Sequence, residues 1–173
     1  MNLPFSQATR QARLVSDLGP TELVLVDFAG EDRLSGLFDY RVDALAQADD
    51  IAPERLIGTH ATVEIDTGGD APARFDGIVT EFGWQRAETA GHRYRLRLRP
   101  WLWLASLRRN QRIFHDKTVV ELLEELFLPY ARMSSPHLEI RLKEDYPKLE
   151  YTVQFQESDM AFACRLMERF GIT

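Results

Sequence analysis

The sequence has one cysteine, four histidines, no long apolar run and no excess of positive charge, and each scarcity removes a class of protein. A lone thiol, Cys164, cannot build an intramolecular disulfide framework or a cysteine-rich metal site, so a reducing cytoplasm is the natural folding compartment. The apolar stretches are far shorter than the roughly 20 residues needed to span a bilayer. Met1-Asn2-Leu3-Pro4-Phe5-Ser6-Gln7 has no basic start leading into an apolar stretch, so export is expected to proceed without a cleaved signal. A formal charge of -6 opposes generic nucleic-acid binding, which depends on a basic face that displaces counterions from phosphates. The local cluster Arg108, Arg109 and Arg112 reads as a solvated face.

What is present is an ordinary globular composition: 173 residues, 45% hydrophobic and 28% charged. A chain of this length buries roughly 70% of its extended surface and can support a real core, as one domain or two small lobes. Hydrophobic periodicity divides it. After a polar leader, residues 22–28 form an aliphatic run closed by a turn at Ala29-Gly30-Glu31-Asp32, and residues 38–45 alternate as a half-buried strand. Residues 61–66 and 74–82 flank the turn Gly68-Gly69-Asp70 as a further strand pair, with Gly77 expected at a bulge or barrel corner. In Tyr94-Arg95-Leu96-Arg97-Leu98-Arg99 the alternation places the arginines and the Leu/Tyr face on opposite sides of a sheet. Short strands with turns between them and no intervening helix indicate an antiparallel barrel or sandwich.

From Pro100 the pattern changes. Two indoles, Trp101 and Trp103, mark a junction, and the 3.6-residue period of Val119, Val120, Leu122, Leu123, Leu126 and Phe127 predicts a helix near 117–128. It is expected to be capped by Asp116 and to stop before Pro129. Residues 138–142 and 151–155 are strand-like, approached by Pro136 and Pro147. A closing helix over 158–170 is expected, with Ser158 as N-cap, Gly171 as stop, and Phe162, Ala163, Leu166, Met167 and Phe170 on one face. The domains predicted are an N-terminal β-barrel lobe over 1–105 and an α+β segment over 106–173.

Chemistry finds little to stand on. His60, His92, His115 and His137 are scattered, and none has a ligand at helical i, i+4 spacing. His115-Asp116 is the single close pair, and neighbouring residues point different ways. Glu121, Glu124 and Glu125 fall on the wet side of the predicted helix. Cys164, without a histidine beside it, reads as a small semi-buried helix residue. Trp84, Trp101 and Trp103 with Tyr94 could form a stacking platform, but large aromatics at a barrel rim or seam explain them more simply. Phosphate loops and nucleophile elbows are missing. No residue is assigned a catalytic, cofactor-binding or metal-binding role, and no cofactor is expected.

Several segments in order carry a resemblance: Leu34-Ser35-Gly36-Leu37-Phe38-Asp39-Tyr40, Leu56-Ile57-Gly58, Phe75-Asp76-Gly77-Ile78-Val79-Thr80-Glu81-Phe82, and Tyr94 through Leu104. Arg112-Ile113-Phe114 follows, then Val153-Gln154-Phe155-Gln156-Glu157-Ser158-Asp159 running into Arg165-Leu166-Met167-Glu168 and Gly171-Ile172. Together they resemble the N-terminal hub region of VgrG proteins, the spikes of the type VI secretion system. His115, Met160 and Arg169 depart from residues common in that family. The resemblance implies a mainly β fold with α elements, a phage tail hub-like split barrel. It also implies a non-enzymatic structural role: a homotrimeric ring of protomers that caps the hexameric Hcp tube and helps deliver effectors by puncturing target cells. Effectors and a tip protein would attach through C-terminal parts. Nucleic acid and a membrane-spanning segment are not expected. The protein would be cytoplasmic, then secreted by the machine. VgrG proteins continue through a second barrel half, an OB-like domain and a β-helical needle, so a chain stopping at Thr173 is expected to be a truncated piece. Two other classes stay open. One is the hub of a contractile phage tail or related injection particle, separable by neighbouring genes for the type VI membrane complex. The other is a small hydrolase using His115 and Asp116, discarded if replacing both leaves tube docking unchanged.

Overall fold

The computed structural model describes residues 5–134 and 139–172 and divides into two compact units, Met1–Pro100 and Trp101–Thr173. The first unit is all-β. Its strands are β1 (Ala12–Ser16), β2 (Val24–Glu31), β3 (Asp39–Ala46), β4 (His60–Ile65), β5 (Ala73–Glu88) and β6 (Gly91–Arg99), in one antiparallel sheet of order β1-β4-β5-β6-β3-β2. The sheet curls into a half-barrel around Leu14, Val42, Val63, Val79, Tyr94, Leu96 and Leu98, which are almost fully withdrawn from water. Leucines, valines and tyrosines on one side of each pleat supply that core, the burial of each large aliphatic side chain contributing about 1.5–3 kcal/mol of transfer free energy. Tyr94 stacks on Phe82 with centroids 5.1 Å apart, its hydroxyl donating to Ala48 O at 3.1 Å, so it is a core residue and not part of an exposed platform.

Three local expectations are corrected in this unit. The polar leader contains a strand, β1, which its single strongly apolar inward residue, Leu14, hardly announces. Ala29-Gly30-Glu31 continues β2 instead of turning, because Gly30 lets Tyr40 lie against the backbone: a Cβ there would sit 2.4 Å from the Tyr40 ring. The turn comes later, where Gly36 N donates to Arg33 O at 3.0 Å. Gly77 is not a bulge but a close approach, since its missing Cβ makes room for Leu98 and Phe38, at 3.0 and 3.1 Å from where it would lie. The irregularities of β5 fall between Val79 and Glu81 and between Trp84 and Arg86, where they let one 16-residue strand bend from β4 onto β6.

The second unit begins with a 3-10 turn (Trp101–Ser106), then β7 (Arg109–Lys117), α1 (Val119–Ser134), β8 (Leu149–Ser158) and α2 (Asp159–Phe170). Antiparallel β7 and β8 form a two-stranded sheet. Two strands are rarely stable by themselves. Here Phe114 joins a core with Val119, Leu122, Leu126, Phe162, Ala163 and Leu166 from the helices. Ser158 caps α2, its hydroxyl accepting from Ala161 N at 3.0 Å, and Gly171 ends it at φ 65°, both as expected.

Three expectations fail in this unit. The cap of α1 is Thr118, not Asp116: Thr118 Oγ1 accepts from Glu121 N at 3.2 Å while the Glu121 carboxylate accepts from Thr118 N at 2.7 Å, a reciprocal capping box. Asp116 instead takes a left-handed backbone, φ 50°. α1 runs through Pro129 because the next residue, Tyr130, is buried and hydrogen bonded, anchoring the last turns against the local cost of proline. Residues 139–142 are irregular instead of a strand, with Ile140 and Leu142 exposed; Pro136, His137 and Leu138 lie outside the described residues.

Candidate functional site

Three surfaces or clusters could bear function. The outer face of the first unit carries the β6 arginines, opposite Tyr94, Leu96 and Leu98 as the alternation required. Antiparallel register sets Asp43 opposite Arg95 and brings Asp39 beside Arg97. Arg95 reaches Asp43 through two bonds of 2.7 and 3.1 Å, and Arg97 reaches Asp39 through two of 2.6 and 2.7 Å. These forked contacts hold the carboxyls of Asp43 and Asp39 below the usual carboxylate range, the Arg95 and Arg97 hydrogen bonds being the largest causes. Arg99 adds Glu81 at 2.9 Å and Arg93 adds Glu88 at 2.7 Å. The arginines are therefore spent on internal partners and do not form a cationic patch.

The second cluster surrounds Asp159, whose side chain is 0% exposed. Tyr130 Oη donates to it at 2.7 Å, Gln154 Nε2 at 2.8 Å and Asn110 Nδ2 at 2.9 Å, with Arg112 close beside them. Burial by itself would raise this carboxyl's pKa, but the hydrogen bonds from Gln154, Asn110 and Tyr130 and the charge of Arg112 outweigh it and hold the group below its ordinary value. Burial and the Asp159 bond push the Tyr130 hydroxyl up to about 12. One carboxylate thus ties β7, α1 and β8 to the first turn of α2. Arg112 belongs to this lock, which corrects its reading as part of a solvated face; Arg108 also reaches Asp159, at 4.0 Å from an exposed position, and Arg109 is exposed. Nothing in the sequence marked Asp159 as central, since its donors come from 5 to 49 positions away.

The third is the outward side of the β7–β8 sheet. Pairing sets Gln111 opposite Phe155, Ile113 opposite Val153, and His115 opposite Tyr151. Because Phe114, Thr152 and Gln154 point inward, alternation forces Ile113, Tyr151 and Phe155 outward, where they are 62%, 63% and 68% exposed. Such a grouping is the usual mark of a protein contact.

The remaining candidates do not converge on a reaction. His115 and Asp116 are exposed neighbours at the end of β7. Glu121, Glu124 and Glu125 lie on the exposed side of α1, Glu125 held by Lys117. Cys164 is exposed, not semi-buried, and partial desolvation with the nearby Glu168 pushes its thiol pKa up, the opposite of an activated nucleophile. Trp84 is exposed on β5, and Trp101 packs edge-on against Phe127 with centroids 5.5 Å apart. His60 Nδ1 and Asp76 Oδ2 lie 2.8 Å apart across the strands, a hydrogen bond invisible in linear spacing. His92 lies 3.5 Å from Trp84 Nε1. Among the described residues, no group of three or more His, Cys, Asp or Glu could hold a metal ion, and no helix is long and apolar enough to cross a membrane.

Comparison with known proteins adds a family. Residues 31–173 match the phage tail baseplate hub (GPD) family. The chain is similar to the type VI secretion system spike protein VgrG1c of Pseudomonas aeruginosa, 30% identical over 97% of this chain and 23% of the relative. VgrG1a of the same organism is 31% identical over 96% of this chain and 25% of the relative. The chain therefore spans about a quarter of the curated relatives it matches. Among solved structures, the fold is shared with the E. coli c3393 protein, described as a type VI secretion component with structural similarity to the T4 bacteriophage tail proteins gp27 and gp5. The TM-score is 0.75 at 24% identity, over 90% of this chain and 42% of that one.

Proposed function

Because the chain belongs to the phage tail baseplate hub (GPD) family, we propose that it is the hub region of a type VI secretion spike, a non-enzymatic part that works by assembly. Its first unit is the N-terminal barrel lobe, and its second begins the other hub lobe. Three protomers form a ring that caps the Hcp tube, and the spike is then driven outward without a cleaved signal to puncture a target cell and deliver effectors. No residue of this region acts as a catalyst, cofactor site or metal site in this reading.

The observation that carries it is a contrast in how side chains are spent. Charged and buried polar groups are consumed in holding the fold, as in the Asp159 lock and the Arg95–Asp43 fork, while apolar groups are left exposed together on β7–β8. An enzyme concentrates perturbed titrating groups in a cleft; an assembly part exposes apolar surface. The occupant assigned to the β7–β8 face is a neighbouring protomer of the ring. Ile113, Tyr151 and Phe155, with half-buried Val153 between them, offer contact on the order of a few hundred Å², against about 800 Å² per partner in a standard stable complex. This face therefore supplements a larger trimer contact and cannot form one alone.

The test is co-sedimentation of a full-length spike carrying this region with assembled Hcp tubes. Wild type is expected to pellet with the tubes, and so is the His115→Ala/Asp116→Ala double variant. Failure of wild type to pellet refutes capping, and loss confined to the double variant reopens a role for that pair. The phage-tail reading shares this fold through the E. coli protein's likeness to tail proteins, but similarity to spike proteins over nearly the whole chain favours secretion.

A further inference from the structure

The six-stranded sheet has two ends, β1 and β2, and these come near each other without forming a ladder. Between them lies one side-chain amide, that of Gln7, only 6% exposed. Gln7 Oε1 accepts from Leu14 N at 2.8 Å on β1 and from Leu25 N at 2.9 Å on β2. Gln7 Nε2 donates to Leu14 O at 3.0 Å, and to Pro20 O and Leu23 O at 3.2 Å each. Its two N–H groups are thus shared among three carbonyls. The amide stands in for a peptide unit of a missing strand, satisfying groups on both edges at once.

Two further contacts hold the same segment. Arg10 Nη1 donates to Leu25 O at 2.9 Å. Phe5 is buried over Gly91, where a Cβ would lie 2.9 Å from the ring's Cζ; Gly91, at φ 142°, meets both the backbone and the packing demand. Uncovered strand edges invite strand addition from other chains. We propose that residues 5–10 are a strap: Gln7 closes the half-barrel by bridging β1 and β2, and in doing so keeps these edges from accepting a strand of a second copy.

Amide hydrogen exchange with sedimentation tests this. In Gln7→Ala, protection at Leu14 and Leu25 is expected to fall roughly tenfold or more relative to β6 amides, with concentration-dependent self-association at micromolar protein. Phe5→Ala should loosen the same two amides to a lesser degree. Should Gln7→Ala not fold, Gln7→Glu serves: its carboxylate keeps both acceptor bonds but faces three carbonyls without a donor, and protonation restores one. After correction for intrinsic exchange, its protection at Leu14 and Leu25 should rise as the pH is lowered towards about 5. Unchanged protection at these amides in Gln7→Ala, a loss spread evenly over β3 and β6, or a Gln7→Glu protein equal to wild type at every pH would overturn the strap. Local loosening without self-association would overturn its protective role.

Discussion

The two sheets of this protein treat their outer faces in opposite ways. On β6 the outward positions are arginines, each neutralised by a carboxylate from a neighbouring strand; on β7–β8 they include Ile113, Tyr151, Val153 and Phe155 beside Gln111 and His115. Inside, both units bury polar groups: the first withdraws Gln7, Asp43 and Glu64 from water, and the second buries the Asp159 carboxylate among hydrogen bonds from Asn110, Arg112, Tyr130 and Gln154. One sheet is finished against water, and the other leaves apolar side chains exposed to it. The difference indicates that the buried network fixes the shape of β7–β8 so that its apolar face is presented in one geometry.

The largest effect expected from breaking this contrast is at the lock. Asp159→Ala strands Arg112, Asn110, Gln154 and Tyr130 without their common acceptor and should destabilise the second unit by about 3–5 kcal/mol in urea unfolding. A cost under about 1 kcal/mol would mean that water replaces the carboxylate freely. Next comes Leu166→Ala, which empties space between α2 and the core and should cost about 2–5 kcal/mol. An unchanged thermal midpoint would show α2 to be undocked.

Acidity gives a smaller, graded effect with a defined sign. Asp159, Asp43 and Asp39 have folded pKa values below the unfolded value of about 3.9. The unfolded chain therefore binds protons first as pH falls, so their contribution is fully present above about pH 5 and is lost progressively below about 4. Tyr130 sets an alkaline limit: with its folded pKa about 12, its contribution holds below about pH 10 and is lost as pH rises towards 12. Stability rising on acidification from pH 5 to 3 would contradict the assignment. Smallest is Arg97→Gln on the solvated ladder, expected to cost about 0.2–1 kcal/mol and less in high salt, because both partners are well exposed. A salt-independent loss of several kcal/mol would mean the ladder is part of the core.

How far the sequence disclosed this contrast follows from the range of the forces involved. The β6 alternation, the period of α1 and α2, and the caps Ser158 and Gly171 are local, and they stand in the structure as read. Asp116 and Thr118 are both capping residue types, and only Thr118 stands three positions before Glu121, the spacing that completes a capping box. β1 is short and β7 is weak in apolar content, and both exist through partners far along the chain, at residues 61–65 and 149–158. The Asp159 lock and the Gln7 strap are likewise non-local and built from residue types that usually sit in water. No periodicity could have disclosed them.

In the proposed reading, the apolar face is the part most directly tied to assembly. The 173-residue chain by itself is expected to be monomeric or weakly self-associating at micromolar concentration, since its exposed apolar contact falls short of what overcomes association entropy. The decisive measurement is light scattering of a full-length spike carrying Tyr151→Glu and Phe155→Glu. With near-native circular dichroism, a weakened trimer that dissociates at concentrations where wild type holds is predicted. A trimer as stable as wild type would contradict the assignment of the β7–β8 face to the protomer contact.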